Sequence, residues 1–305
     1  MITLFATPKP MEGEFERLQE NAIGSWIRLG FGVEILLFGG ERGVDAFARR
    51  LGLDHVAEVV RNEYGTPRVD DLFAQAERTA TQPLIGYINA DIILGRNFLD
   101  AVRVLAEIKR PFLAVGRRWD LDLCDTVDYS DPAWEEKLRS QVDTRGSLHA
   151  ETGIDYFIYP RGFWGRIPPF AIGRTSWDNW LILDARRRGA MVIDATKSIW
   201  AVHQNHGYNH HPQGAAGVWK GPEAEENERL AGGSQRLFSI LDATHRMRGE
   251  AIEKITGPVR ERRERYMRPA ISRRAAWAEA AQKRIVRAAR SLRAKLARLR
   301  GKNSE

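Results

Sequence analysis

Apolar residues alternate between two rhythms along the first third of the chain. Short runs rich in β-branched and aromatic residues, at 2–7, 33–38, 57–61, 83–94 and 112–115, predict strands. Between them, apolar positions three and four apart predict helices over 11–29, 44–51, a stretch opening near Val69, and 98–108. Asp70 and Asp71 fall in the first turn of the third, where the helix dipole favours negative charge. Strand and helix in alternation point to βαβ units on a parallel sheet.

The second half changes character. Residues 117–145 are polar and without a clear period, and they carry Asp120, Asp122, Asp125, Asp128 and Asp131. A strand returns at 156–159, and a segment rich in Gly, Pro and aromatics, 162–177, leads into a helix over 178–188 that stops at Gly189. Strands are predicted at 191–193 and 199–203. Residues 207–233 read as a long glycine-containing loop, of the length at which lids and binding loops occur. From Pro269 onward, Ala281, Ile285, Ala288, Leu292, Leu296 and Leu299 recur at three- and four-residue spacing, which predicts a long amphipathic helix.

Charge divides the chain in two. The net +7 is a sum of unlike parts: residues 259–305 hold 16 Lys+Arg against 4 Asp+Glu, whereas residues 1–258 are net −5. A domain over 1–258 and a basic helical tail over 259–305 are therefore expected, and the acidic body argues against nucleic acid as a partner. Arg284, Arg287, Arg290 and Arg298 surround the tail's apolar stripe. That pattern suits an interfacial membrane helix, a coiled-coil seam or a solvated helix lying on the body. A hydrophobic content of 43% is enough to bury a core. The single cysteine, Cys124, excludes an internal disulfide and a cysteine metal cluster, which favours a reducing, cytoplasmic setting. Neither a secretory signal nor a membrane span is expected.

Several familiar chemistries are excluded by motif. The first strand is followed by Pro8-Lys9-Pro10 and not by the glycines of a dinucleotide fold, and neither a Gly-Lys-Ser/Thr phosphate loop nor a Gly-x-Ser-x-Gly elbow occurs. Three features remain. Asp91 closes an apolar strand, where a carboxylate either holds a hard cation or satisfies backbone donors of the next helix. Asp178 opens a helix between Trp177 and Trp180, where it accepts a proton from a substrate hydroxyl or, with Ser176, caps the helix. His203, His206, His210 and His211 fall within nine residues, either as a metal or phosphate contact beside Asp91 or as a polar loop.

Taken together, residues 1–245 resemble the GT-A glycosyltransferases, in particular family 2-like enzymes that use nucleotide-diphospho-sugars. Asn89-Ala90-Asp91 is similar to the family's Asp-x-Asp with the first Asp replaced. Trp177-Asp178-Asn179-Trp180-Leu181, with Arg186 and Gly189, is similar to its Glu-Asp helix start with Glu replaced by Trp. The resemblance implies a GT-A-like doubly wound mixed α/β sheet, with Asp91 as metal contact, Asn89 beside it on the donor and Asp178 as general base. It further implies nucleobase contacts from Thr7, Pro8 and Glu41, His203 as an added metal ligand, and an acceptor site that includes Asp155, Trp164 and Trp177. The implied reaction moves a sugar from a nucleotide-diphospho-sugar to a carbohydrate or lipid-linked acceptor with Mn2+ or Mg2+; apart from the resemblance, the pattern of residues 269–300 leaves a membrane surface open as a further partner. The missing acidic partners at Asn89 and Trp177 leave open a second class, a non-catalytic carbohydrate- or membrane-binding protein on the same fold.

Overall fold

The computed structural model describes residues 1–207, 219–233, 237–272, 274–282 and 284–285. The chain forms two compact units, Met1–Ile255 and Thr256–Glu305.

In the first unit, β1 (Ile2–Ala6) lies deep in a large sheet with all five residues buried. It pairs in parallel with β2 (Val33–Phe38) on one side and β4 (Leu84–Ile88) on the other, and β2 carries β3 (Asp54–Val56) at the edge. Strands buried on both faces read as continuous apolar runs, which is why this half is legible in the sequence. The helices between them are α1 (Gly13–Ile27), α2 (Val44–Leu51), α3 (Val69–Thr79) and, after β5 (Ile92–Leu94), α4 (Asn97–Ala106). Beyond β4 the sheet is mixed. β9 (Tyr156–Pro160) inserts antiparallel between β4 and β6 (Phe112–Val115), and β10 (Met191–Asp194), β12 (His245–Arg248) and β13 (Ala251–Lys254) complete nine strands. β5, β11 (Ala201–Gln204), β7 (Trp119–Leu121) and β8 (Ser147–Leu148) form a second, four-stranded sheet in that order.

Helix α1 ties the two sheets. Its Trp26 is fully buried and donates Nε1–H to the carbonyl of Ile92 at 2.8 Å, while Ser25 Oγ accepts the Leu94 amide at 3.0 Å. Burying an indole of this size is worth about 4 kcal/mol, and both bonds end on β5, so α1 fixes the strand that follows Asp91.

Four sequence expectations are corrected. The run 83–94 is not one strand: β4 ends at Ile88, a turn follows, and β5 belongs to the second sheet. The strand expected at 57–61 forms earlier, as β3, because Gly52 in a left-handed conformation ends α2 and sends the chain straight back beside β2. The polar stretch 117–145 contains β7 and α5 (Trp134–Arg145), a helix whose buried apolar positions, Trp134, Leu138 and Val142, form a stripe one residue wide. Within 207–233, residues Pro222–Ala231 are a helix, α7, opened by a proline at its start; the rest of the expected lid, 208–218, lies outside the described residues, as do His210 and His211. The remaining helix of this unit is α6 (Trp177–Arg187).

The second unit contains α8 (Pro258–Ile271) and helical residues at 274–282 and 284–285. Trp277 and Ile285 are 77% and 69% exposed. Residues 286–305 of the predicted tail lie outside the described residues. Among the described residues no helix is long and apolar enough to cross a membrane.

Candidate active site

The turn Asn89-Ala90-Asp91 sits where the chain leaves the large sheet for the small one, closed by the Ile92 amide on the Asn89 carbonyl at 3.1 Å. Fully buried Gln204 fixes it from below: its Nε2 donates to the carbonyls of Asp91 (3.1 Å) and Leu18 (2.8 Å), and its Oε1 accepts from Asn21 (2.8 Å). β11 runs antiparallel to β5 with His203 opposite Ile92, which brings the histidines to Asp91. Oδ2 of Asp91 is 3.1 Å from His206 Nε2 and 3.8 Å from His203 Nε2. Its Oδ1 is buried with no hydrogen-bond partner. Burial pushes the Asp91 carboxyl up, but the His206 hydrogen bond and the charges of His203, His206 and Lys9 outweigh it and hold the group well below the usual carboxylate range.

One ligand atom from each of Asp91, His203 and His206 lies within 4.8 Å of the others. A carboxylate with an orphaned oxygen beside two imidazoles is a donor set that fits a divalent cation. Lys9 adds a fixed positive charge nearby. Its backbone N and O are clamped by Gln19, and its Nζ lies 4.1 Å over the Phe15 ring. Burial lowers its pKa to about 8 although Asp91 pulls the other way.

A second network backs the turn. Asn89 donates Nδ2–H to Asp155 Oδ1 at 2.6 Å and accepts the Tyr87 hydroxyl on Oδ1 at 2.7 Å. Asp155, whose side chain is 6% exposed, also accepts from Arg118 at 2.5 Å, and Arg118 Nε reaches Asp120 Oδ1 at 2.9 Å. Asp120 in turn meets His149 Nδ1 at 2.5 Å and faces His203 Nδ1 at 3.4 Å. Desolvation opposes its ionisation, yet hydrogen bonds from His203, His149 and Arg118 hold it well below the usual range.

Asp178 lies in the first turn of α6. The capping alternative finds no support at Ser176, whose side chain makes no cap bond and whose φ of 78° is left-handed, the only such non-glycine among the described residues. That conformation costs about 1–2 kcal/mol, and it aims the helix start. Burial, followed by the negative charge of Asp155, raises the Asp178 carboxyl to about 7 against the hydrogen bonds of the helix amides. The Tyr87 hydroxyl, bonded to Asn89 at 2.7 Å, feels the negative charges of Asp91, Asp155 and Asp178.

The other expected residues separate. Thr7 and Glu41 come together beside Gly39 (φ 110°), where a side chain would collide with the Glu41 carboxylate. Thr7 Oγ1 and Glu41 Oε2 are buried without partners, while Glu41 Oε1 pairs with Arg61 at 2.8 Å. Pro8 is buried next to them in sequence. Trp177 is 5% exposed and packs against Tyr87 and Phe157, so it offers core contact in place of the expected open platform for a sugar. Trp164 lies away from the cluster: Arg161 binds the carbonyl of Pro83 at the start of β4, the opposite end from Asp91, and Trp164 lines a cleft there with Phe73, Glu77 and Ile167. His206 was visible only as one of four clustered histidines, and Asp120 only as one of a run of aspartates; Arg118 and His149 carried no signal at all.

No family model matches the chain, and no curated protein matches it. Among solved structures it is similar to glucosyl-3-phosphoglycerate synthase from Mycobacterium tuberculosis in complex with Mn2+, uridine diphosphate and phosphoglyceric acid, at 13% identity and TM-score 0.45, over 77% of this chain and 80% of that one. It is similar to S. aureus TarS 1–349 in complex with UDP at 11% identity and TM-score 0.44, over 75% and 64%. A third is mannosyltransferase PcManGT from Pyrobaculum calidifontis in complex with GDP-Man and Mn2+, at 15% identity and TM-score 0.42, over 66% and 56%. The chain spans only 35% of the length of TarS 1–349 in complex with UDP-GlcNAc. All are distant likenesses.

Proposed function

We propose that the chain is a glycosyltransferase that moves a sugar from a nucleotide-diphospho-sugar to an acceptor hydroxyl. The observation that carries this reading is the placement of two unlike carboxylates at one end of the sheet. Asp91, held ionised among Lys9, His203 and His206, suits a cation and a diphosphate; Asp178, held near neutrality, suits proton abstraction from a hydroxyl. A divalent cation held by Asp91, His203 and His206 would supply charge neutralisation for the departing diphosphate. Lys9 adds a second positive charge on the same side, and Asp178 takes the acceptor proton. The orphaned acceptors of Thr7 and Glu41 suit N–H groups of a nucleobase. The test is binding of nucleoside diphosphates in the presence of Mn2+, with turnover of a donor panel. Wild type is expected to bind and Asp91→Ala to lose binding by at least about tenfold; a chain that binds no nucleotide, with Asp91→Ala indistinguishable from it, would sink the reading.

The acceptor is proposed to lie at a membrane. Exposed Trp277 and Ile285 in a strongly basic segment support contact with an anionic bilayer, by apolar insertion plus electrostatic attraction. Full-length protein is expected to float with anionic vesicles at low salt, and Trp277→Ala with Ile285→Ala to reduce the bound fraction severalfold. Equal flotation of the variant would remove this part.

A further inference from the structure

Asp70, Phe73, Ala74 and Glu77 share one face of α3, and packing does not close that face. Opposite it runs the segment 162–171, tied to the helix at both ends. The Val69 amide donates to the Phe170 carbonyl at 2.9 Å, and the Gly162 amide donates to Glu77 Oε2 at 2.8 Å. Between the ties lies a cleft of about 230 Å³, with Trp164 and Ile167 on its other wall. It sits at the start of β4, away from Asp91. β4 has five residues, which at roughly 3.3 Å per residue sets its ends about 13 Å apart, too far for one small ligand to meet both sites.

Three polar atoms are left over around this cleft. Glu77 Oε1, Trp164 Nε1 and the Tyr159 hydroxyl are all buried without a hydrogen-bond partner. Tyr159 is fully buried and stacks on Phe73 at 5.9 Å, and Trp164 meets both rings edge-on. The charge of Glu77 acts on the Tyr159 hydroxyl, so these groups are neighbours. Leaving such groups unpaired is costly, and a hydroxyl, which both donates and accepts, suits all three. Trp164 is only half-buried although its one polar atom is covered, so the surface it offers is ring carbon. An aromatic face of that kind attracts the polarised C–H groups of a sugar. Charge argues against a cationic occupant: Asp70 is paired with Arg68 at 2.6 Å, and Glu77 lies in the field of Arg161. The volume is below the roughly 300–1,000 Å³ of sites for drug-sized molecules, which limits the occupant to about one ring.

We propose that the cleft between α3 and the segment 162–171 is a second carbohydrate site, which holds one neutral sugar ring with its C–H groups on Trp164 and a hydroxyl donating to Glu77. The site stands apart from the transferase reading, and its test needs neither metal nor nucleotide. Full-length protein labelled with ¹⁵N at its nine tryptophans is titrated with the methyl glycosides of glucose, galactose, mannose and N-acetylglucosamine. The indole N–H resonance of Trp164 is assigned by its loss in Trp164→Phe. That resonance is expected to shift along a saturating curve with at least one glycoside, at half-saturation on the order of a few millimolar, the strength open to a ligand of this size. Tetramethylammonium should leave it in place. Glu77→Ala should weaken the binding by about tenfold, and Glu77→Gln, which keeps an acceptor oxygen, should recover part of the loss. A Trp164 resonance that no glycoside moves, or that drifts linearly together with the other indoles, overturns the site and leaves the cleft to water. A shift with tetramethylammonium alone overturns the choice of a neutral ring, and wild-type affinity in Glu77→Ala overturns the role of Glu77.

Discussion

Asp178→Asn is expected to reduce turnover by about 10²–10⁴-fold while leaving nucleotide binding within about twofold of wild type. The substitution keeps the size of the side chain and its place in the first turn of α6, so the loss isolates proton abstraction from architecture. The pH dependence carries the same assignment independently. Burial and the charge of Asp155 raise the carboxyl to about 7, and a base must be deprotonated to act. The wild-type kcat/KM should therefore rise about tenfold per pH unit below that value and level off above it. Linkage has the opposite sense for stability. Because the folded pKa lies above the ordinary value, protonation of Asp178 favours the fold; this contribution is fully present below the ordinary value of 3.8 and is lost as pH rises through about 7. Activity and stability should thus diverge across the same pH window, and thermal melts of wild type against Asp178→Asn between pH 5 and 8 check this. A turnover in Asp178→Asn equal to wild type would remove the residue from the chemistry; only a wild type without turnover on any donor would favour a binding protein.

The parts of this molecule that were legible in the sequence are those whose signal is local. β1, β2, β4 and β6 are almost wholly apolar, Thr3 and Glu34 being the exceptions, because they lie within the sheet, and α3 and α4 bury one clear face while α1 buries nearly all of its C-terminal half. Asp91 and Asp178 stood out because a carboxylate at a strand end or before an aromatic helix contradicts the local pattern. The sequence did not reveal pairings between distant residues. Asp155 lies 37 positions from Arg118 and 66 from Asn89, and nothing in its neighbourhood marks it as the hub between the donor turn and the base. Tertiary context also reverses two readings based on residue type. Trp177, attractive as a sugar platform, is spent on packing Tyr87 and Phe157, and Trp164 faces a cleft at the far end of β4.

The same hub makes Asn89→Asp a restoration that should damage the protein. Replacing Asn89 with aspartate recreates the acidic signature of the family that the turn resembles, and motif logic alone expects tighter metal binding. In this chain the amide nitrogen it would replace donates to Asp155 at 2.6 Å, so a carboxylate oxygen would meet another carboxylate oxygen at that distance. The donor is lost, the two charges repel in a site where Asp155 is 6% exposed, and Arg118 must choose between Asp155 and the new acid while still serving Asp120. Losing a charge-assisted bond and adding a like charge should cost about 2–4 kcal/mol, or roughly 5–10 °C in Tm for a domain of this size. Asn89→Ala, which deletes the donor without adding charge, should cost less. Melting curves order the three proteins, and a Mn2+ titration reads the site: the aspartate variant should bind no more tightly than wild type, since the added charge pulls Arg118 and Asp155 out of register with the turn. An aspartate variant as stable as wild type and with higher Mn2+ affinity would mean that Asn89 stands in for a ligand, and that the bond to Asp155 is incidental. The prediction turns on which partner a side chain is held against, because the amide at Asn89 belongs to the carboxylate of Asp155 and so leaves the cation to Asp91 and the two imidazoles.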